Sequence, residues 1–302
     1  MSKAVSAVEN NHAVAGNNAQ EAAAIEGASN NDNGHGLVHE NTLYAEPLFH
    51  VAGFPITNSL LNSWIVVLIV LALAWSLRGK VQRIPRGLQN ALEMVMEAFL
   101  GIFDAVTGSR KKSLKFLPIA LSFFFFILIN NWLGLIPGVG SIGQIIKSGE
   151  EHIFVPYLRG GTADLNTTLA LATIGVVISH IFGVMAVGAW HYLNKFINIK
   201  AFLEIPGKIM KDPAVILVNP IKAFVGVVEI IGEVAKVASL SFRLFGNIFA
   251  GEVLLASMSA ILAFGVPIPF MFLEVIVGLI QALIFSILVL IYLSISTTAE
   301  EH

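Results

Sequence analysis

Residues 239–252 read SLSFRLFGNIFAGE and set one arginine, Arg243, inside a mostly apolar stretch that runs over 214–265. A permanent cation within a membrane-embedded segment costs about 2.5–3.5 kcal/mol on insertion scales and roughly 10–17 kcal/mol in some simulations. Such a residue ordinarily faces a protein partner or a water-filled path, and so marks an ion route. The plainer alternative is that Arg243 pairs with an internal acid and simply orders a helix bundle.

The rest of the chain supports a membrane setting. Of 302 residues, 56% are hydrophobic and 13% charged, against about 25% charged in ordinary soluble domains. Several apolar runs reach the ~20 residues that a spanning helix needs. Runs such as IVVLIVLALAW exclude the short alternating segments of a transmembrane barrel. The fold class expected is an all-α polytopic membrane protein with five crossing helices and one interfacial amphipathic helix. There is no cysteine, which removes disulfides, thiol chemistry and Cys-based metal sites.

Residues 1–43 are polar and Asn-rich, with Lys3 as the single basic residue. They read as a disordered tail ahead of one membrane domain, 44–302. His35 and His39 beside Glu40 make a conceivable metal pair, but a solvated tail is the simpler account. The spans expected are 60–77, 116–137 and 167–190, then the long segment from about 220, and 270–295. Arg78, Lys80, Arg83, Arg86, Arg110, Lys111, Lys112 and Lys115 flank the first two spans on one side. Positive-inside bias puts that side in the cytoplasm, with the N-terminus outside and the C-terminus inside. Between these clusters, Leu92, Met96, Leu100 and Phe103 recur at helical spacing among Glu93, Glu97 and Asp104, predicting an amphipathic helix over 88–106. Phe123 to Phe126 read as packing and lipid contact, and Trp132 as an interfacial anchor.

A single helix over 221–264 would be about 65 Å long, against a hydrocarbon core of about 30 Å. It must tilt steeply, lie partly along the membrane plane, or break. Pro267 and Pro269 are expected to end it, and the last helix turns it into a hairpin over about 214–296. At about 100° per residue, Lys222, Glu229, Glu233, Lys236 and Asn247 all fall within about 80° of Arg243. Glu252 falls about 180° away. Glu274 and Gln281, seven apart, share a face of the last helix. Arg243 stays protonated, so it holds a facing carboxylate ionised but relays nothing, whereas Glu252 and Glu274 can titrate. The other charges near the cytoplasmic end also fit a solvated face.

SLSFRLFGNIFAGE, with NWLGLIPG at 131–138, TADLNTT at 162–168, and QALIF followed by IYLS at 281–294, resembles subunit a of the F-type ATP synthases. The resemblance covers the chain from about Tyr44 to the end. It implies a stator protein whose tilted hairpin curves around a ring of c subunits, held by the b subunits of a peripheral stalk in the whole complex and lipid bilayer. It implies that Arg243 faces the ring carboxylate and blocks leak, with Asn247 and Gln281 near it. Glu252 and Glu274 would line the outer half-channel, Ser239 would lie toward the cytoplasmic one, and Asp164 would sit at the outer mouth. Some members carry His where this chain has Glu274, so an imidazole relay is absent at that position. Coupled ATP synthesis at a bacterial inner membrane follows, with no catalysis by this chain alone. No phosphate loop, cofactor or nucleic-acid partner is expected.

Two other functions compete on the residues alone. A transporter or channel working by itself often shows internal repeats, and none is visible here. A structural anchor would tolerate Arg243→Lys, whereas a mechanism needing guanidinium geometry would not. Proton and sodium coupling are not separated by this sequence.

Overall fold

Fully buried polar side chains sit beside the apolar core of this protein, and large apolar side chains also cover its outside. Asn58, Ser59, Asn62, Ser113, Asn130, Thr168 and Ser286 have no exposed surface, while Leu68, Trp75, Met185 and Phe272 are more than half exposed. A bilayer rewards this arrangement, because lipid accepts apolar side chains but offers no hydrogen bonds. The computed structural model describes residues 44–51, 53–78, 82–148, 151–192, 215–262 and 265–298. The expected N-terminal tail, with His35, His39 and Glu40, lies outside the described residues, as does the basic loop carrying Lys195, Lys200, Lys208 and Lys211. Of the described residues, 44–146 and 154–298 belong to one compact unit, which holds the helices and the site.

Six long helices dominate the described residues: α1 Asn58–Leu77, α2 Leu88–Thr107, α3 Arg110–Gly134, α4 Leu165–Val187, α5 Val215–Ile261 and α6 Pro267–Thr297. Five of them, all but α2, are long and apolar enough to cross a membrane. The all-α polytopic expectation therefore holds, with helix starts several residues earlier where polar caps extend the apolar runs. Thr57 caps α1 by accepting from the Leu60 amide at 3.3 Å. Two short hairpins were not anticipated: β1 Pro47–Val51 with β2 Phe54–Thr57, and β3 Gly143–Ser148 with β4 Glu151–Pro156. In the first, Val51 pairs with Phe54 around Gly53, whose φ of +85° suits a tight turn.

The amphipathic helix α2 packs its Phe99, Leu100 and Phe103 onto α3, where Phe99 meets the Phe124 ring edge-on at 4.9 Å. Met96, expected on this apolar stripe, is instead 39% exposed; Val95 is packed against the core in its place. Gly108 ends α2 in the left-handed region (φ +63°), its amide donating to the Asp104 carbonyl. At this α2–α3 junction the Ser113 hydroxyl and the Arg110 guanidinium hold the Asp104 carboxyl below its ordinary range. Phe123 and Phe124 are buried, and Phe123 contacts Phe285 of α6 at 5.4 Å.

The helix carrying Arg243 is unbroken. Its backbone is helical from Val215 to Ile261, 47 residues, or about 70 Å at 1.5 Å each. Breaking is thus excluded as the way it fits a bilayer. Nor do the prolines end it: α5 stops at Ile261, and Pro267 sits in the first turn of α6, where a missing amide leaves no gap.

Candidate functional site

The early end of α5 sets the hairpin register. A Cβ placed on Gly251 would collide with the Glu274 carboxyl group, and the Lys236 ammonium lies over the Tyr292 ring, 5.1 Å from its centre. Counting from these two contacts, Arg243 stands level with residues just beyond Gln281, within about one helical turn. A straight hairpin turning at Val266, ahead of the prolines, would have left them about 12 Å apart in height. The offset shrinks because α5 ends at Ile261, several residues before Pro267.

Three of the expected residues share one uncovered face of α5. Ser239, Arg243 and Asn247 are exposed, and so are Phe242, Gly246 and Ala250 beside them. Leu240, Ser241, Leu244 and Ile248 occupy the opposite face, buried against the bundle. Among the described residues no carboxylate pairs with Arg243, so the internal ion pair considered above is not formed. Gln281 is buried on α6, and among the described residues no hydrogen bond joins it to Arg243 or Asn247.

Glu252 and Glu274 come together at the other end of the hairpin. The Glu274 carboxyl lies against Gly251, the neighbour of Glu252, and Glu252 is close enough for its charge to act on it. Their environments differ. Glu252 accepts two hydrogen bonds on one oxygen from Arg159, from Nε at 3.1 Å and from a terminal nitrogen at 2.9 Å. The Arg159 side chain is only 9% exposed. Glu274 is buried, and among the described residues no cation meets it.

Arg159 is the residue that sequence reasoning missed. It stands five positions before Asp164 in a loop, and nothing in its local pattern announces a partner 93 residues away. Asp164, 4% exposed, is the cap of α4: its carboxylate accepts from the Asn166 and Thr167 amides at 3.2 and 3.3 Å. It also accepts from the Ala45 amide at 3.2 Å, fixing the segment that carries Arg159 against the N-terminal hairpin.

A buried polar layer links these groups to α1 and α3. Asn62 donates to Asn130 at 2.7 Å, and Asn130 accepts from the Gly161 amide at 2.9 Å. Thr162 donates to Asn131, which in turn donates to the Gly278 carbonyl of α6 at 3.1 Å. Trp132, expected as an interfacial anchor, is 40% exposed and donates to the Val275 carbonyl.

A multi-pass helical membrane protein with a long hairpin, an uncovered arginine face and a pair of acids near its turn, one of them buried, is the class these observations define. The family model described as ATP synthase A chain matches residues 60–294, and the chain belongs to that family, the a subunits of the F-type membrane sector. It is 30% identical over 247 residues to ATP synthase subunit a of Moorella thermoacetica, covering 82% of this chain and 94% of that protein. It is also similar to the proteins of the same name from Syntrophobacter fumaroxidans, 31% identical over 85% of this chain and 95% of that protein, and Mycobacterium ulcerans, 33% identical over 81% and 88%.

Proposed function

We propose that this chain is the stator of a rotary proton path, with Arg243 facing the carboxylates of a c-subunit ring on the uncovered face of α5. The observation that carries the proposal is the pairing state of Arg243: a permanent cation amid apolar residues, exposed, and without a carboxylate among the described residues. In a bilayer such a charge requires an anionic partner from outside the chain. The small neighbours Gly246 and Ala250 allow a second helix to approach closely.

A proton enters from outside past Glu274 and protonates a ring carboxylate, which then turns into lipid. After nearly a full turn, that carboxylate reaches the inner half-channel, releases its proton and faces Arg243 as an anion. Arg243 also repels protons that would cross directly. Glu252, held by Arg159, lines the same path beside Glu274. Gln281 and Asn247 flank the meeting point, Ser239 lies one turn toward the inner side, and Asp164 holds the outer mouth in shape. Each charge crossing 100 mV supplies about 2.3 kcal/mol, so several drive each ATP. The b subunits brace the chain, which lies in a bacterial inner membrane with its N-terminus outside.

Arg243→Ala in the assembled complex, reconstituted in vesicles, tests this. Loss of ATP-driven proton pumping with normal assembly is expected, together with raised passive permeability. Surviving pumping would overturn the proposal.

A further inference from the structure

Among the described residues two acidic side chains are buried, Asp164 and Glu274. Asp164 is committed to the protein itself: the amides of Ala45, Asn166 and Thr167 and the Thr167 hydroxyl all donate to it. Glu274 is not, and the charged group that acts on it is a second acid, Glu252. The cation at this pair comes from neither helix of the hairpin but from the loop before α4, where Arg159 donates to Glu252. Glu233 of α5 is served differently, by Lys236 of its own helix at 2.7 Å, with His180 Nε2 of α4 at 3.5 Å.

Two neighbouring carboxyl groups are the beginning of a metal site, because hard cations such as Ca2+ and Mn2+ take carboxylate, carbonyl and water oxygens. Arg159 stands in the way. Its Nε and one terminal nitrogen reach the same Glu252 oxygen, at 3.1 and 2.9 Å, and the other terminal nitrogen donates to the Tyr44 carbonyl at 3.4 Å. The side chain is 9% exposed, so the charge is held in place by the fold. A Ca2+ ion on that oxygen, at 2.3–2.6 Å, would stand at most about 5.5 Å from the nearer guanidinium nitrogen. Arginine cannot give up its charge to relieve the repulsion, and a site this enclosed screens it poorly.

We propose that Arg159 is a specificity-determining residue of the outer half-channel, a fixed cation that keeps metal ions off the Glu252–Glu274 pair and leaves it to protons. This rests on the stator reading above and deepens it. A proton needs no shell of ligands: one O–H bond forms on a carboxyl oxygen and breaks when the proton moves to the next acceptor. A metal ion must hold several oxygens at once, and the Glu252 carboxylate is already engaged by a cation. Charge counting gives the same result. Two carboxylates and one guanidinium leave a single negative charge, which one proton cancels. Two carboxylates without the guanidinium leave a double charge, which suits a divalent metal ion.

The test uses the full complex in vesicles, stripped of its catalytic head, with Mn2+ as the probe on the outer-mouth side. Binding is read from the EPR signal of the free ion. Arg159→Gln is expected to bind Mn2+ at least about tenfold more tightly than the unaltered complex, and the added Glu252→Gln should abolish that gain. Arg159→Lys, which keeps a cation, should bind no better than the unaltered complex. A merely structural arginine predicts no change in Mn2+ affinity on Arg159→Gln, and that result would overturn the proposal. So would a gain that survives Glu252→Gln. A second measurement holds whether or not Arg159→Gln assembles. Proton conduction by the unaltered complex, driven by a potassium diffusion potential, should ignore Mn2+ at the outer mouth. Inhibition that a chelator reverses and Glu252→Gln removes would overturn the proposal. Arg243→Ala in the same vesicles separates the two levels: normal pumping there brings down the stator reading, whereas unchanged Mn2+ affinity in Arg159→Gln brings down only the Arg159 assignment.

Discussion

Two arginines in this protein have the same chemistry and opposite surroundings. Arg159 lies in a loop, its side chain almost fully enclosed, donating twice to Glu252 and also to the Tyr44 carbonyl. Arg243 lies in the middle of a 47-residue helix, exposed and without an acidic partner among the described residues. A cation whose partner is internal is a piece of architecture. A cation held out on an apolar helix calls for a partner that arrives from elsewhere. The difference is visible only when burial and pairing are read together, because both residues are equally charged at any working pH.

The comparison breaks most sharply under the same substitution at both places. Arg243→Lys is expected to reduce ATP-driven pumping by at least about 100-fold in assembled complexes, because a point-charge ammonium does not reproduce the planar guanidinium fork. Arg159→Lys is expected to retain most activity, since Glu252 needs only a cation within reach. Equal losses at the two positions would erase the distinction. Next in size is Arg159→Ala, which leaves Glu252 without its cation and is expected to destabilise the chain by about 2 kcal/mol. Glu252→Gln added to it should recover much of that loss, as a double-mutant cycle of thermal unfolding would show.

Two glycines sharpen the contrast further. Gly251→Ala would push against the Glu274 carboxyl group, whereas a Cβ on Gly246 meets nothing within 4 Å. Gly251→Ala should therefore slow transport severalfold and lower the melting temperature of the purified chain. Gly246→Leu should leave the chain's own melting unchanged while weakening its recovery with ring subunits on co-purification. Normal recovery would argue against docking on that face. The smallest effect belongs to Asp104. Its carboxyl is held below its ordinary range by Ser113 and Arg110, so its stabilising contribution is present above the unfolded value and disappears as pH falls through the lower folded value. Asp104→Asn should flatten that acid limb of stability slightly, measured by thermal melts from pH 6 down to 3.

Helix number and amphipathicity were legible because they depend on local periodicity. The apolar runs needed for five spans are written in consecutive residues, and the alternation of Leu92 and Leu100 with Glu93 and Glu97 keeps α2 out of that set. Met96 was misassigned because a stripe predicted from spacing alone does not say which edge packs; Val95 packs against the core instead. The prolines were misplaced as a stop because proline is compatible with both a helix end and a helix start. The two hairpins escaped notice because strands of four to six residues carry too little pattern to stand out beside long apolar helices.

Of the site, the sequence by itself determined that Arg243 sits in an apolar helix too long to cross a bilayer upright, and that Glu252 and Glu274 are the acids between it and the far side of the hairpin turn. Charge, length and periodicity are properties of neighbouring residues. Only the tertiary structure decided that Glu252 belongs to Arg159, that His180 meets Glu233, and that Arg243 and Gln281 stand at nearly one level. Those outcomes depend on where a turn falls and which helices pack. A shift of a few residues in the α5–α6 connection moves every cross-helix pair without changing either helix.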